Sequence, residues 1–540
     1  MSFKDKVIYQ IYPKSFLDTT GNGIGDIQGI IKKLPYLENL GVDMLWLNPM
    51  YPSPQNDNGY DISDYTAIDP LFGTMADFDE LLIKAKKHHI DIMFDMVLNH
   101  VSTEHEWFKK ALAGDKEYQD YFILRDTPTD WVSKFRGNAW SKFGDTDLYY
   151  LHLFDKTQAD LNWRNPKVRE ALADVVNFWL EKGVRGLRFD VINVIGKDEV
   201  LKDNSVNEGK AEYTDKPITH DYLQELNQRS FGKYEDAITV GEMSSTTVES
   251  CILYTQPERQ ELSMTFNFHH LKVDYANKEK WTLAEFDFKE LKHLFHTWGE
   301  EMSQNGGWNA LFWNNHDQPR ALNRFVDIEN YREMGAMMLG ASIHLSRGTP
   351  YIYMGEEIGM LNPGFSDIKD YVDIESLNAF EELLGKGLNQ TEAMAIIKDK
   401  SRDNSRVPMQ WTTDKNAGFS TGTPWIQAAP DYQEINVAKE LTEGQIFPFY
   451  KKLIQLRKEF PIIAEGNYEG YEKDHPQVYG FMREWEGKKL LSLNNFYGEE
   501  TYITIPNEFL LGDILIDNYM GTVLQSNQVL QPYQTLNILI

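Results

Sequence analysis

Gly186-Leu-Arg-Phe-Asp190 is a short apolar run that ends in a carboxylate, and the chain repeats the arrangement in Ala237-Ile-Thr-Val-Gly-Glu242 and Asn309-Ala-Leu-Phe-Trp-Asn-Asn-His-Asp317. Each run reads as a buried strand whose C-terminal end presents an acid. Carboxylates at the C-terminal ends of different parallel strands converge on one face of a (β/α)8 barrel, the face that carries catalysis in that architecture. The pattern points to an enzyme, with glycoside hydrolysis as the first chemistry to test.

The rest of the chain supports the barrel. Strand-like runs at Val7–Pro13, Met44–Pro49, Ile92–Asn99, Gly186–Asn193, Ile238–Met243, Met264–Phe268, Ala310–His316 and Pro350–Gly355 alternate with amphipathic stretches such as Ile27–Leu40, Phe78–His89, Pro166–Lys182, Tyr222–Phe231, Phe286–Met302 and Tyr331–Leu345. Pro166 suits a first helical turn and Gly183 the position just past the end. Continuous apolar strands separated by helices argue for a parallel sheet covered on both faces. An open doubly wound sheet is the competing arrangement, but it spreads apart carboxylates on the fourth, fifth and seventh strands.

Residues 100–165 are too long for a loop and hold Trp107, Trp131, Trp140 and Tyr149-Tyr150, so they read as an inserted subdomain after the third strand. After a helix at Phe447–Phe460 the period changes. Gln477–Met482, Lys489–Leu493, Tyr502–Ile505 and Leu536–Ile540 alternate between Gly, Asn and Pro, as an antiparallel β-sandwich does. The expected division is therefore a TIM barrel over 1–99 and 166–462, a subdomain over 100–165 and a C-terminal β-sandwich domain over 463–540.

A net charge of −28 opposes nonspecific association with nucleic acid or anionic membrane, and an anionic substrate needs a local basic pocket against that field. The aromatic content of 13% suits carbohydrate as well as core. Cys251 is the single cysteine, which leaves no internal disulfide and fits a reducing compartment. Met1-Ser-Phe-Lys-Asp-Lys6 has no apolar signal region, and no stretch approaches the ~20 apolar residues that span a bilayer. The expectation is a soluble, cytoplasmic monomer with no nucleic-acid or membrane partner.

Arg188 and Asp190 stand two apart on one strand and face the same way. An arginine beside a carboxylate holds it ionised, which suits a nucleophile, while Glu242 after Gly241 is available as the partner acid. Retaining glycosidases need such a pair ~5–5.5 Å apart. Asp18-Thr-Thr-Gly-Asn22-Gly-Ile-Gly-Asp26 places oxygen ligands at alternate positions with Gly23 at the sharp turn, the first half of a calcium-loop pattern; Gly29 stands where that pattern has its bidentate glutamate.

Together, Asp95-Met-Val-Leu-Asn-His100, Gly186-Leu-Arg-Phe-Asp190-Val-Ile-Asn193, Gly241-Glu242-Met and Asn315-His316-Asp317 resemble the four core motifs of the α-amylase superfamily, and Gln158-Ala-Asp160-Leu-Asn162 resembles its additional motif at the inserted domain. The resemblance implies a retaining α-glycosidase in which Asp190 is the nucleophile, Glu242 the general acid/base and Asp317 the third carboxylate, which grips sugar hydroxyls. It implies no cofactor for catalysis. His100 and His316 suit hydrogen bonds to glucose. Gln55-Asn-Asp57-Asn-Gly-Tyr60 resembles the closed pocket of the exo-acting oligosaccharide group, with Asp57 binding glucose, Tyr60 stacking beneath it, Phe135, Phe154 and Gln158 as walls and Arg406 pairing with Asp57. Relatives of this group bind a structural Ca2+ or Mg2+ in the first loop, which implies Asp18, Thr20, Asn22, the Ile24 carbonyl and Asp26 as its ligands.

Gly241–Val248, Met264–Tyr275 and Gly306–Trp313 are similar to the branch of the family that cleaves the α-1,1 bond of a phosphorylated disaccharide, releasing glucose and glucose 6-phosphate. His269–Trp281 is a local basic cluster in an acidic chain, and Lys272 and Lys280 are candidate phosphate ligands. The alternatives are an oligo-1,6-glucosidase or dextran glucosidase, a sucrose isomerase, and a non-catalytic transporter-associated relative. The three retained carboxylates weigh against the last.

Overall fold

A computed structural model describes residues 3–540. Met1 and Ser2, which open the expected barrel span and the N-terminal segment, lie outside the described residues. Eight short strands form one sheet: β1 (Ile8–Ile11), β2 (Met44–Leu47), β3 (Asp91–Met96), β4 (Gly186–Phe189), β5 (Ile238–Glu242), β6 (Met264–Phe266), β7 (Ala310–Leu311) and β8 (Thr349–Tyr353). Their order is β6-β5-β4-β3-β2-β1-β8-β7, so chain neighbours are sheet neighbours and β1 lies beside β8. The ladders β3–β4, β4–β5, β5–β6, β1–β8 and β7–β8 are all parallel. This is the (β/α)8 barrel expected from the alternation, and β1, β2, β4 and β5 are buried along their whole length, as strands covered on both faces must be.

The helices start and stop where local chemistry dictates. Asp26 accepts the Gly29 N–H to cap α1 (Ile27–Leu40), and Gly41 ends it at φ 98°. Asn165 caps α2 (Pro166–Lys182), Pro166 occupies the first turn, and Gly183 closes it at φ 115°. Strands end earlier than the apolar runs suggest. β4 stops at Phe189 because Val191 turns into the left-handed region at φ 37°, and β7 stops at Leu311 because the side chains of Asn314 and Asn315 take over the hydrogen bonding.

Two compact units result. The first comprises Trp46–Lys87 and Asp91–Phe268; the second comprises the chain up to Leu45, His88–Ile90 and His269–Ile540. In the first, the excursion after β3 carries a helix at Glu106–Leu112, a three-stranded antiparallel sheet (Leu124–Arg125, Trp140–Lys142, Tyr149–Leu151) and a strand pair His100–Ser102 with Gln158–Asp160. Trp131, Trp140, Leu151 and Leu153 pack there with Val191, Val194 and Tyr213, tying the excursion to the loop after β4.

In the second unit the C-terminal segment makes two antiparallel sheets. One holds β9 (Glu469–Tyr471), β10 (Val478–Trp485), β11 (Lys488–Asn495), β13 (Asp513–Asp517) and β15 (Thr535–Leu539); the other pairs β12 (Thr501–Thr504) with β14 (Asn527–Leu530). Val478, Leu491, Leu493, Leu536 and Ile538 from the first meet Ile503 and Leu530 from the second in one core, the β-sandwich that alternation predicts. β9, β13 and β14 carry no clear sequence signal: β9 is three residues, β13 carries an irregular register at Ile514/Ile516, and β14 is a four-residue strand that is half polar. Among the described residues no helix is long and apolar enough to cross a membrane.

Candidate active site

In the first unit, register places Asp95 of β3 directly beside Arg188 of β4. The guanidinium of Arg188 reaches three acids at once: Asp95 Oδ1 at 2.8 Å, Asp190 Oδ1 at 2.6 Å and Glu242 Oε2 at 2.7 Å. All four residues are buried. Burial pushes Asp190 up to about 6 and the Asp95 charge adds to that, while Arg188 pulls back. Asp95 is likewise pushed up to about 6 by burial against the same arginine. One cation cannot compensate three desolvated anions. The sequence expectation that Arg188 favours the Asp190 anion holds in sign; burial is the larger influence.

The expected pocket residues of this unit gather around that cluster. Tyr60 donates to Asp95 Oδ2 at 3.0 Å, accepts from Asn48 at 2.8 Å, and its ring lies 5.9 Å from the Arg188 guanidinium. The loop before Tyr60 is tight, with Gln55, Asn58 and Gly59 all at positive φ and the Asp61 carboxylate collecting the N–H groups of Asn56 and Asp57. Gln158 donates to Asp57 Oδ2 at 3.1 Å. The His100 ring nitrogen lies 3.2 Å from the Tyr60 carbonyl, and burial lowers this ring to about 4, so it is neutral near pH 7. Phe154 packs on His100 at 5.1 Å and edge-on against Phe135 at 5.7 Å. Asp57, Tyr60, His100, Phe135, Phe154, Gln158, Arg188, Asp190 and Glu242 thus form one connected constellation.

The second unit carries Asp317, His316 and Arg406. Arg406 Nη2 meets Asp317 Oδ1 at 2.5 Å, Arg402 Nη1 lies 3.5 Å from the same oxygen, and His316 Nε2 lies 3.3 Å from Oδ2. Burial would raise the Asp317 carboxyl, but His316, Arg402 and Arg406 outweigh it and hold the acid well below the usual carboxylate range. Gln10 fixes the other His316 nitrogen at 2.9 Å, and the Tyr12 ring stacks on the imidazole at 20°. Arg402 continues to Asp373 at 2.6 Å and Glu375 at 3.3 Å, and Lys280 meets Glu375 at 2.7 Å. Lys272 is exposed. Asp95, quoted within a motif without a role, and Arg402, not singled out at all, are functional neighbours; the cross-strand partnership of Asp95 with Arg188 and the same-face spacing of Arg402 and Arg406 on one helical turn were the available signals.

The loop 18–26 is closed on itself. Asp18 accepts the N–H groups of Thr20, Gly21 and Gly23 and the Ser420 hydroxyl, Asp26 accepts those of Thr19 and Gly29, and Asn22 accepts from Ile24 N–H. The side chains of Asp18, Thr20, Asn22 and Asp26 and the Ile24 carbonyl make an oxygen-only set that suits a hard cation. The N–H groups already aimed at both carboxylates compete for the same lone pairs.

The chain is 50% identical to the trehalose-6-phosphate hydrolase of Bacillus subtilis (strain 168), across 99% of this chain and 97% of that one. It is 45% identical to an oligo-1,6-glucosidase of Halalkalibacterium halodurans, across 96% and 94%. A crystal structure of the Bacillus licheniformis trehalose-6-phosphate hydrolase superposes with a TM-score of 0.96 at 51% identity, covering 99% of both chains. Residues 10–466 match the alpha-amylase catalytic domain, and the chain belongs to the alpha-amylase family.

Proposed function

We propose that this chain is a glycoside hydrolase that cleaves the α-1,1 bond of trehalose 6-phosphate, giving glucose and glucose 6-phosphate with retention at the anomeric carbon. The observation that carries the chemistry is the single guanidinium of Arg188 bonded to both Asp190 and Glu242. Carboxyl groups bridged by one guanidinium fit the short spacing of a retaining pair, ~5–5.5 Å, better than the ~6.5–9.5 Å that inverting enzymes leave for a water. The substrate rests on the full-length likeness to trehalose-6-phosphate hydrolases.

Asp190 attacks the anomeric carbon and Glu242 protonates the departing glucose 6-phosphate; Glu242 then deprotonates the water that releases glucose. Asp317, kept anionic by two arginines and a histidine, grips sugar hydroxyls as the ring flattens. Asp57, Tyr60, His100, Phe135, Phe154, Gln158, His316 and Arg406 hold the terminal glucose. Lys272 and Lys280 supply cationic contacts to the phosphate. Asp18, Thr20, Asn22, the Ile24 carbonyl and Asp26 would hold a structural Ca2+ or Mg2+, outside the reaction. A phosphorylated sugar is kept inside cells by its charge, which supports a cytoplasmic location.

Side-by-side hydrolysis of trehalose 6-phosphate, trehalose, isomaltose and maltose tests the reading. Trehalose 6-phosphate should be the preferred substrate by kcat/KM. A preference for isomaltose would transfer the chain to the oligo-1,6-glucosidases with the same carboxylate roles.

A further inference from the structure

The β4–β5 ladder ends at the pair Phe189 and Gly241, one residue before each of the two reacting acids. Beyond that point the backbones separate and no ladder bond sets the distance between Asp190 and Glu242. A side chain takes over. Asn193 Nδ2 donates to the Ser244 carbonyl at 3.0 Å, and Ser244 N–H donates to Asn193 Oδ1 at 2.8 Å. This two-way amide ring has the form of a ladder pair, built from one side chain and one backbone.

The ring is itself anchored. Asn193 Nδ2 also donates to Asp215 Oδ1 at 2.9 Å, and Asp215 is held in turn by Thr246 Oγ1 at 3.0 Å and the Tyr254 hydroxyl at 3.2 Å. Asp215 N–H returns to the Asn193 carbonyl at 3.0 Å. Lys134, next to the pocket wall residue Phe135, donates to Ser244 Oγ at 2.8 Å. Asn193 is fully buried. Alternative roles for it are therefore poor: it has no exposure to substrate and no unsatisfied atom pointing elsewhere.

What the clamp holds is a strained turn. Val191, between nucleophile and clamp, sits at φ 37° and ψ 39°, a left-handed conformation that a β-branched residue rarely adopts. In that conformation its N–H points at Glu242 Oε2, 3.2 Å away. Relaxation of Val191 to an ordinary φ would swing this N–H off Glu242.

We infer that Asn193 is a positioning residue for the acid/base: its amide ring with Ser244, braced by Asp215, keeps the Val191 turn strained and Glu242 at the distance from Asp190 that proton delivery requires. The inference rests on the carboxylate roles proposed above. It assigns Asn193 no contact with substrate.

The test compares leaving groups. Glucose 6-phosphate leaves trehalose 6-phosphate as a sugar alkoxide that needs a proton, whereas fluoride or p-nitrophenolate departs from glucose without one. In Asn193→Ala, kcat on trehalose 6-phosphate should fall about 10–100-fold with KM changed little, while kcat/KM on α-glucosyl fluoride falls several-fold at most. Added azide, which replaces the water that Glu242 must activate, should raise turnover of the fluoride in the variant and not in wild type. Asn193→Asp keeps the acceptor for Ser244 N–H and loses the donor, and should lie between the two; it also serves if the alanine variant folds poorly. Equal losses on both substrates, or wild-type rates in both variants with unchanged melting, would overturn the inference. Wild-type turnover of trehalose 6-phosphate reads the substrate assignment separately, so failure of one is distinguishable from failure of the other.

Discussion

Asp190 and Asp317 are both carboxylates carried just past barrel strands, Asp190 buried and Asp317 half-buried, yet their environments drive them in opposite directions. Around Asp190 three acids share one arginine, and its proton affinity rises to about 6. Around Asp317 two arginines and a histidine surround one acid, and its proton affinity falls far below normal. Burial acts the same way on both. The ratio of cations to acids decides the outcome: three acids on one arginine hold a proton more readily, as the acid/base of the pair needs, whereas a carboxylate that only steadies developing positive charge must never take one.

The contrast predicts unequal costs of losing an arginine. Arg188→Gln strands three buried acids at once, so unfolding free energy should drop by about 3–5 kcal/mol and activity should be undetectable. Denaturant titration and a hydrolysis assay read both. Arg402→Gln leaves Asp317 with Arg406 and His316 but takes from buried Asp373 its nearest arginine, so kcat/KM should fall by about 1–3 kcal/mol, roughly 5–150-fold, with a smaller loss of unfolding free energy than in Arg188→Gln. Similar damage from the two variants would remove the distinction between a shared and a surplus cation.

pH separates the regions without mutation. Asp190 must be ionised to attack, and its raised affinity means the proton is lost only above about pH 6. The kcat/KM profile for the free enzyme should therefore fall tenfold per pH unit below about 6. Asp317 keeps its charge throughout that range and should add no second acid limb. A flat profile down to pH 5 would contradict the assignment of Asp190.

The smallest effect concerns the first loop. Because backbone N–H groups already satisfy Asp18 and Asp26, chelation with EDTA should leave kcat unchanged and lower the melting temperature by a few degrees at most. A collapse of activity on chelation would mean that the cation governs the loop.

The barrel was legible because its strands are buried on both faces and read as apolar runs, and helix ends such as Asn165-Pro166 and Gly183 carry their own stop and start chemistry. The acids were legible because they close those runs. Less accessible was anything set by three-dimensional ratio or strain. The excess of acids over cations at Arg188, the second arginine on Asp317 and the left-handed Val191 depend on which elements the fold makes neighbours, and spacing along the chain does not encode that. Arg406 illustrates the limit: the family resemblance matched it to Asp57, and within its own unit its partner is Asp317.

Trapping with 5-fluoro-α-glucosyl fluoride identifies the nucleophile itself, since the ring fluorine slows both steps and the good leaving group lets a glycosyl-enzyme accumulate. Mass spectrometry of the digested enzyme should find a single fluoroglucosyl adduct on Asp190 that decays with recovery of activity. An adduct on a different residue, or no adduct together with β-glucose as the first product, would contradict the double displacement proposed here.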